Sequence, residues 1–283
     1  MISVIVPTYN NWEALQECLF SLINQSFKEE NYEIIVVNNN PGGFIPDWIK
    51  SENRIKLITE SKKGSYSARN AGALESIGDI LCFTDSDCIP DKEWLFNINE
   101  EMSSQSVNII AGAVEIIPFD SDNISAFEAY DIAVGIRQDL YVKRGSAATA
   151  NLSLKRDVFN KLGGFDSSRL SGGDTDFCKR AFSAGFTLIY CENAIVRHPA
   201  RSDWRELVNK SKRIYGSRAK TTGNEYIKRL LTAFMPPLVR SIIIVNSDLS
   251  FNNKLKALAV LFAIKFVQSV EFIKVTFGKD AIR

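Results

Sequence analysis

The sequence predicts an α/β fold, with a mostly parallel central sheet covered by helices on both faces and a helical extension at the C-terminus. Three observations predict it. Short Ile/Val-rich runs alternate with helix-length segments through the first hundred residues, and such alternation implies parallel strands joined by crossover helices. Polar turn residues bound each apolar run. From about residue 201 the pattern changes to basic helical segments.

Taken in order, "ISVIV" (2–6), "EIIVV" (33–37), "IKLI" (55–58) and "DILCF" (79–83) read as buried strands. "WEALQECLFSLINQ" (12–25) and "SYSARNAGALES" (65–76) read as helices between them, with Asn10 or Asn11 capping the first and Ser65 the second. "WLFNINEEM" (94–102) is a further helix and "VNIIAGAVEII" (107–117) a long strand, while residues 118–145 show no clear period. "GSAATANLSLKRDVFNKLGGFD" (145–166) reads as strand, short helix and Gly-Gly turn. "DTDFCKRAFSAG" (174–185) is helical up to Gly185, and "FTLIYC" and "AIVRH" read as two more strands.

The tail begins with "RSDWRELVNKSKRIYGSRAK" and continues into two apolar stretches, 226–246 and 254–274. Pro236–Pro237 interrupts the first as a helix breaker, and Lys265, Gln268 and Glu271 interrupt the second. Neither reaches the roughly 18 uninterrupted apolar residues of a membrane span. Contact with a membrane surface through 226–276 is one expectation for these helices. Packing on the domain or at a homo-oligomer interface is the other.

Composition bounds the function. With 283 residues, 45% hydrophobic and 24% charged, the chain can bury a sizeable core. Its net charge of +1 hides an asymmetry: residues 197–283 hold 17 Lys+Arg against 6 Asp+Glu, a net +11, and the rest carries −10. The tail's cations are interleaved with aliphatic runs instead of lining a polar groove, which argues against nucleic acid as a partner. Five cysteines with no C-x-x-C pair argue against a disulfide framework or a zinc site. "MISVIVPTYN" lacks the features of a signal peptide, so a cytoplasmic setting is expected.

Chemistry concentrates where the strands end. "DILCF" runs into Asp85 and Asp87, two carboxylates separated by one serine. Open α/β sheets bind ligands at the carboxyl edge of their strands, and paired carboxylates suit Mg²⁺ or Mn²⁺. "PTYN" (7–10) and "NNN" (38–40) end at the same edge, where polar side chains can meet a base and ribose. Lys62, Lys63 and Arg69 bring positive charge to it beside a helix N-terminus. No G-x-G-x-x-G follows the first strand, which weakens an alternative reading as a dinucleotide-dependent oxidoreductase.

"VIVPTYN", "GSYSARNAG", "FTDSDC", "TANLSLKRDVFNKLGGFD" and "GGDTDFCKR" come in the order seen in family 2 glycosyltransferases, and the chain resembles that family over about residues 1–200. The resemblance implies a GT-A fold and an inverting, metal-dependent transfer of a sugar from a nucleotide-diphosphate donor, UDP-sugar favoured. The acceptor would be a hydroxyl of a glycan or lipid-linked saccharide, in bacterial surface-polysaccharide synthesis. It implies a catalytic domain over 1–200, with a nucleotide-binding half at about 1–105 and an acceptor half at about 106–200. Residues 201–283 form a basic helical extension, for which a peripheral position on the inner face of the cell membrane is the expectation.

By the same resemblance, Pro7, Tyr9, Asn38, Arg69 and Asp85 match nucleotide-binding positions, and Asp85, Asp87 and His198 match ligands of Mn²⁺ or Mg²⁺. Asp174 matches the catalytic base of the family's Glu-Asp motif, with Asp176 ranked second because two positions on it points elsewhere on a helix. Gly163, Gly164, Phe165 and Asp166 match the segment that shapes the sugar and acceptor pocket. Two departures stand out: Asn38 replaces a frequent Asp, and Gly173 replaces the Glu that usually precedes the base. A catalytically silent nucleotide-sugar-binding module is the alternative, although binding alone needs no base.

Overall fold

The computed structural model describes residues 1–169, 171–219 and 234–276, with backbone alone for 215–219 and 275. The strands are β1 (Ile2–Thr8), β2 (Tyr32–Asn38), β3 (Ile55–Thr59), β4 (Ile80–Thr84), β5 (Ile89–Pro90), β6 (Ile109–Ile117), β7 (Asn151–Lys155) and β8 (Leu188–Pro199). They form one sheet in the order β3-β2-β1-β4-β7-β6-β8-β5. The helices are α1 (Trp12–Ile23), α2 (Asp47–Lys50), α3 (Ser65–Glu75), α4 (Trp94–Met102), α5 (Ala126–Val134), α6 (Gln138–Val142), α7 (Arg156–Leu162) and α8 (Gly173–Ser183). Then follow α9 (Trp204–Ala219), α10 (Leu238–Val245) and α11 (Phe251–Thr276).

The sheet is mixed. From β3 to β4 neighbouring strands are parallel, whereas β7 pairs antiparallel with both β4 and β6. Side chains of the parallel strands alternate between two cores, as the period of two demands. Val4, Val6, Ile34, Val36 and Cys82 enter a core with α1 and α4. Ile5, Ile35, Val37, Leu81 and Phe83 enter a second core with α3, α7 and α8. Burial on both faces explains why these strands read as continuous apolar runs. The register sets Thr8 beside Asn38 and Ile5 beside Phe83, so β1, β2 and β4 end along one edge.

Three sequence expectations change. Asn11 precedes α1 without a side-chain cap bond, and Gly64, not Ser65, occupies the cap position of α3. "FTLIYC" and "AIVRH" belong to one twelve-residue strand, β8, because Glu192 and Asn193 stay extended and exposed between them. Residues 118–145, which lacked a period, contain α5 and α6.

The chain divides into two compact units, Met1–Glu115 with Ile136–His198, and Ile116–Gly135 with Pro199–Arg283. The expected boundary at 200 therefore shifts for 116–135. Ala129, Tyr130 and Ala133 of α5 share a core with Leu207, Ile244, Ala257, Val260, Leu261 and Ile264. Asp131, buried in this second unit, accepts from the Arg201 backbone N–H at 3.1 Å and its Nη1 at 2.9 Å, and Lys210 Nζ lies 3.5 Å away. Burial lowers the Lys210 ammonium to about 8, with Asp131 opposing the shift. Among the described residues no helix is long and apolar enough to cross a membrane. Residues 226–233 of the first apolar stretch lie outside the described residues.

Candidate active site

The carboxyl edge of the parallel strands belongs to the first unit, and its floor is built by asparagines. Asn38, 1% exposed, accepts the Asn40 N–H at 3.0 Å and donates to the Asn40 carbonyl at 3.3 Å, so its amide closes a turn. Asn39 fastens β2 to the loop before α3. Its Nδ2 donates to the carbonyls of Glu60 and Lys62 at 2.9 and 2.8 Å, and its Oδ1 accepts the Gly64 N–H at 2.7 Å. Pro7 is half-buried within β1, while Tyr9 is exposed just past its end. The Asn10 side chain accepts from Asn40 at 2.7 Å.

Helix α3 carries the site's cation. Arg69 is buried, and its Nη2 donates to Asp85 Oδ1. The Arg69 Nε is also buried and has no hydrogen-bond partner. One turn earlier on the same face lies Tyr66, with its ring centroid 5.7 Å from the Arg69 guanidinium carbon. The Tyr66 hydroxyl donates to Asp174 Oδ1 at 3.3 Å. Burial pushes this phenol up to about 12, helped by the neighbouring Asp174 carboxylate, so it stays a donor at neutral pH.

Asp174 is in the first turn of α8, where the helix N-terminus favours negative charge. Gly172, at φ 75°, occupies the cap position, and Asp174 accepts the Thr175 N–H at 2.8 Å. Burial raises the pKa of Asp174, opposed by the Thr175 N–H, Arg69 and Tyr66. Asp176 is occupied elsewhere, pairing with Arg180 Nε at 2.9 Å and Arg169 Nη2 at 2.8 Å. Gly173 shows why a larger residue is absent there. A β carbon at that position would lie 2.7–2.8 Å from three atoms of the Tyr66 ring. Where the resembled family has Glu, this chain has a tyrosine ring against a glycine.

Asp87 points to the other side of the site. Pairing of β5 with β8 sets Ile89 beside Arg197 and Pro90 beside Val196, which carries His198 back to the β4 end. His198 Nε2 lies 3.7 Å from Asp87 Oδ2. The potential ligand atoms of Asp87, Cys88 and His198 all lie within 4.8 Å of one another. The Cys88 thiol is raised well above its ordinary range by burial, then by Asp85 and Asp87. An imidazole and a carboxylate, with a second carboxylate two residues away, fit Mn²⁺ or Mg²⁺ by donor type.

The "GGFD" segment turns the chain after α7 and sends its aromatic ring into the core. Gly163 and Gly164 take positive φ (71° and 75°) to close α7. Phe165 is 3% exposed, among Tyr66, Phe83, Phe159 and Phe177 at ring-centroid separations of 5.8, 5.1, 6.0 and 4.9 Å. Its ring is therefore core and does not line a sugar pocket. Asp166 accepts from the Ser168 hydroxyl at 2.6 Å and from Arg169 at 3.1 Å, which closes the loop. Asn70 of α3 grips the Phe165 backbone at both N–H and carbonyl, 2.9 and 2.8 Å. Trp94 is likewise fully buried, donating to Asn151 at 2.9 Å.

The structure thus joins Asp85, Arg69, Tyr66 and Asp174 in one chain of contacts and sets Asp87 against His198. Tyr66 escaped the sequence reading, although its position three residues before Arg69 puts both on one helical face.

The family model described as Glycosyl transferase family 2 matches residues 3–163. Glycosyltransferase AglE of Haloferax volcanii is 34% identical over 219 residues, covering 75% of this chain and 71% of that protein. A Methanococcus voltae protein, dolichyl N-acetyl-alpha-D-glucosaminyl phosphate 3-beta-D-2,3-diacetamido-2,3-dideoxy-beta-D-glucuronosyltransferase, is 25% identical over 225 residues, 74% of this chain and 70% of its own length. Among solved structures, the mannosyltransferase PcManGT of Pyrobaculum calidifontis with GDP-Man and Mn²⁺ aligns at TM-score 0.66 and 17% identity, covering 99% of this chain and 88% of that one. S. aureus TarS 1–349 with UDP-GlcNAc aligns at TM-score 0.54 and 16% identity, covering 94% and 72%. At these identities the structural likeness shows the GT-A fold.

Proposed function

The chain belongs to glycosyltransferase family 2, and from that membership we propose that it moves one sugar from a nucleotide-diphosphate donor, UDP-sugar favoured, to a hydroxyl of a glycan or lipid-linked acceptor. The enzyme is a glycosyltransferase, inverting by family. Asp174 serves as general base. It accepts the proton of the acceptor hydroxyl as that oxygen bonds to the anomeric carbon and the bond to the leaving diphosphate breaks on the opposite face.

One observation carries this reading. The half-buried Asp174, with its pKa raised by desolvation, is tied through Tyr66 and Arg69 to Asp85 at the end of β4. A carboxylate taken out of water binds a proton more firmly, which suits a base. Arg69 neutralises Asp85 and keeps a buried Nε–H without a partner, a donor suited to a phosphate or ribose oxygen. Asp87 and His198, with Asp85, would hold Mn²⁺ or Mg²⁺. Such an ion, when bound, neutralises the charge of the diphosphate.

Pro7 and Tyr9 border the space in which the base would lie. Asn38 acts there through the turn it closes, since both ends of its amide are engaged by Asn40. A role in cell-surface glycan synthesis, on the cytoplasmic side, is consistent with the dolichyl-phosphate-linked acceptor named for the Methanococcus voltae relative. Incubation with UDP-, GDP- and dTDP-sugars plus Mn²⁺ tests the reading. We expect one donor class to bind and to undergo slow hydrolysis or transfer. Absence of both binding and turnover across the whole panel would refute it.

A further inference from the structure

The second unit carries a surface that sugar transfer does not use. Helix α11 is apolar on two sides. Ala257, Val260, Leu261, Ile264 and Phe272 face the unit's own core, and the polar Gln268 and Glu271 lie on this buried side as well. Gln268 donates to Ser211 of α9 at 2.9 Å. Two of the three interruptions seen in the sequence, Gln268 and Glu271, thus point inward.

On the opposite side, Phe251, Leu255, Phe262, Phe266 and Ile273 are exposed, four of them by half or more. At 3.6 residues per turn these five fall within about 60° of arc, one stripe along a helix roughly 39 Å long. Lysines border it on both sides. Lys254 and Lys265 fall about 90° and about 70° to one side of its midline, and Lys256 and Lys274 about 110° to the other, the Lys256 ammonium also donating to the Ile124 carbonyl at 3.0 Å. Helix α10, whose Ile244 joins the same core, exposes Leu238, Val239, Ile242 and Val245. A stripe of this extent exceeds the scattered apolar residues of an ordinary surface.

We propose that this stripe of α11 docks the protein on an anionic lipid surface, lying flat in the headgroup region with its lysines toward the phosphates. The charge arrangement favours lipid over a second copy of the chain. Lysine rows on both flanks would face lysine rows in a symmetric dimer, whereas they complement anionic headgroups. Long lysine stems also let the ammonium groups reach the headgroups while the stripe is buried. Residues 197–283 add a net +11.

The full chain is tested by flotation with vesicles of phosphatidylglycerol and phosphatidylcholine, beside pure phosphatidylcholine. Binding is expected to the first and to be weakened by salt. The double variant Phe262→Asp/Phe266→Asp should weaken it by about a hundredfold or more. Phe119→Asp, at a 97% exposed residue of the same unit outside the stripe, should leave it unchanged. Phe262→Trp should be quenched by brominated acyl chains, a readout that does not depend on loss of folding.

Three outcomes would overturn the proposal. They are equal binding to both vesicle types, unaltered binding by the double variant, or absence of vesicle binding with a dimer that the double variant dissociates. None of these measures sugar transfer, so failure here leaves the catalytic reading untouched.

Discussion

Replacing Tyr66 by Phe removes one hydroxyl and leaves the ring against Gly173 and Arg69. The hydroxyl contributes a 3.3 Å hydrogen bond to Asp174, which also holds the Thr175 N–H at 2.8 Å. A bond to a carboxylate contributes about 1.5–3 kcal/mol when well made, and this long one about 1 kcal/mol. If that energy positions the base in the transition state, kcat falls by about fivefold. The bond also holds the pKa of Asp174 down against burial, so its loss moves the acid limb of the kcat–pH profile upward. Donor KM stays unchanged, because Arg69 and Asp85 keep their contact. Gly173→Ala provides a second route to the same loss, since its β carbon would push the Tyr66 ring away. The two substitutions break one interaction, so the double variant should be no slower than the slower single variant. Initial rates across pH for all four proteins decide it. An unshifted acid limb in Tyr66→Phe, or additive losses, would refute the positioning role.

Other expectations follow from the same geometry. The folded-state pKa of Asp174 is raised by burial, so stability is fullest below its unfolded value and declines as pH rises through the folded one. Asp174→Asn should therefore raise Tm near neutral pH and leave it little changed in acid, by calorimetry. His198→Ala should raise the Mn²⁺ concentration for half-maximal activity by about tenfold or more, measured by metal titration. Asp131→Ala leaves Arg201 and Lys210 without their buried partner and should cost about 3 kcal/mol, read by chemical denaturation.

Much of the site was legible because it breaks a pattern. Asp85 and Asp87 stand out where a doubly buried strand ends, whereas His198 came from the family resemblance. Asp174 and Arg69 came from the ordered motifs. What escaped depends on distance in the chain. Tyr66 and Asp174 are 108 residues apart, and nothing in either segment announces that a ring and a glycine fit together. Phe165 matches the pocket-shaping segment by resemblance alone, and nothing local to it separates a pocket ring from a core ring. In the structure Gly163 and Gly164 turn the chain so that the ring enters the core.

The reassignment of 116–135 has a signal that short length obscured. Ser125 and Glu128 form a capping box, the S-x-x-E pattern of a helix start, ahead of only nine helical residues. In α11 a core-facing stripe and an exposed stripe cancel in any single-face reading, which is why its polar residues read as interruptions of an apolar stretch. Burial, not sequence period, separates the two sides.

Donor affinity and turnover measured side by side for Asp174→Asn test the catalytic assignment most directly. The account predicts turnover lower by about a thousandfold with donor Kd nearly unchanged, because the variant loses a base while the Arg69–Asp85 pair remains. Turnover close to that of the unaltered enzyme would contradict it.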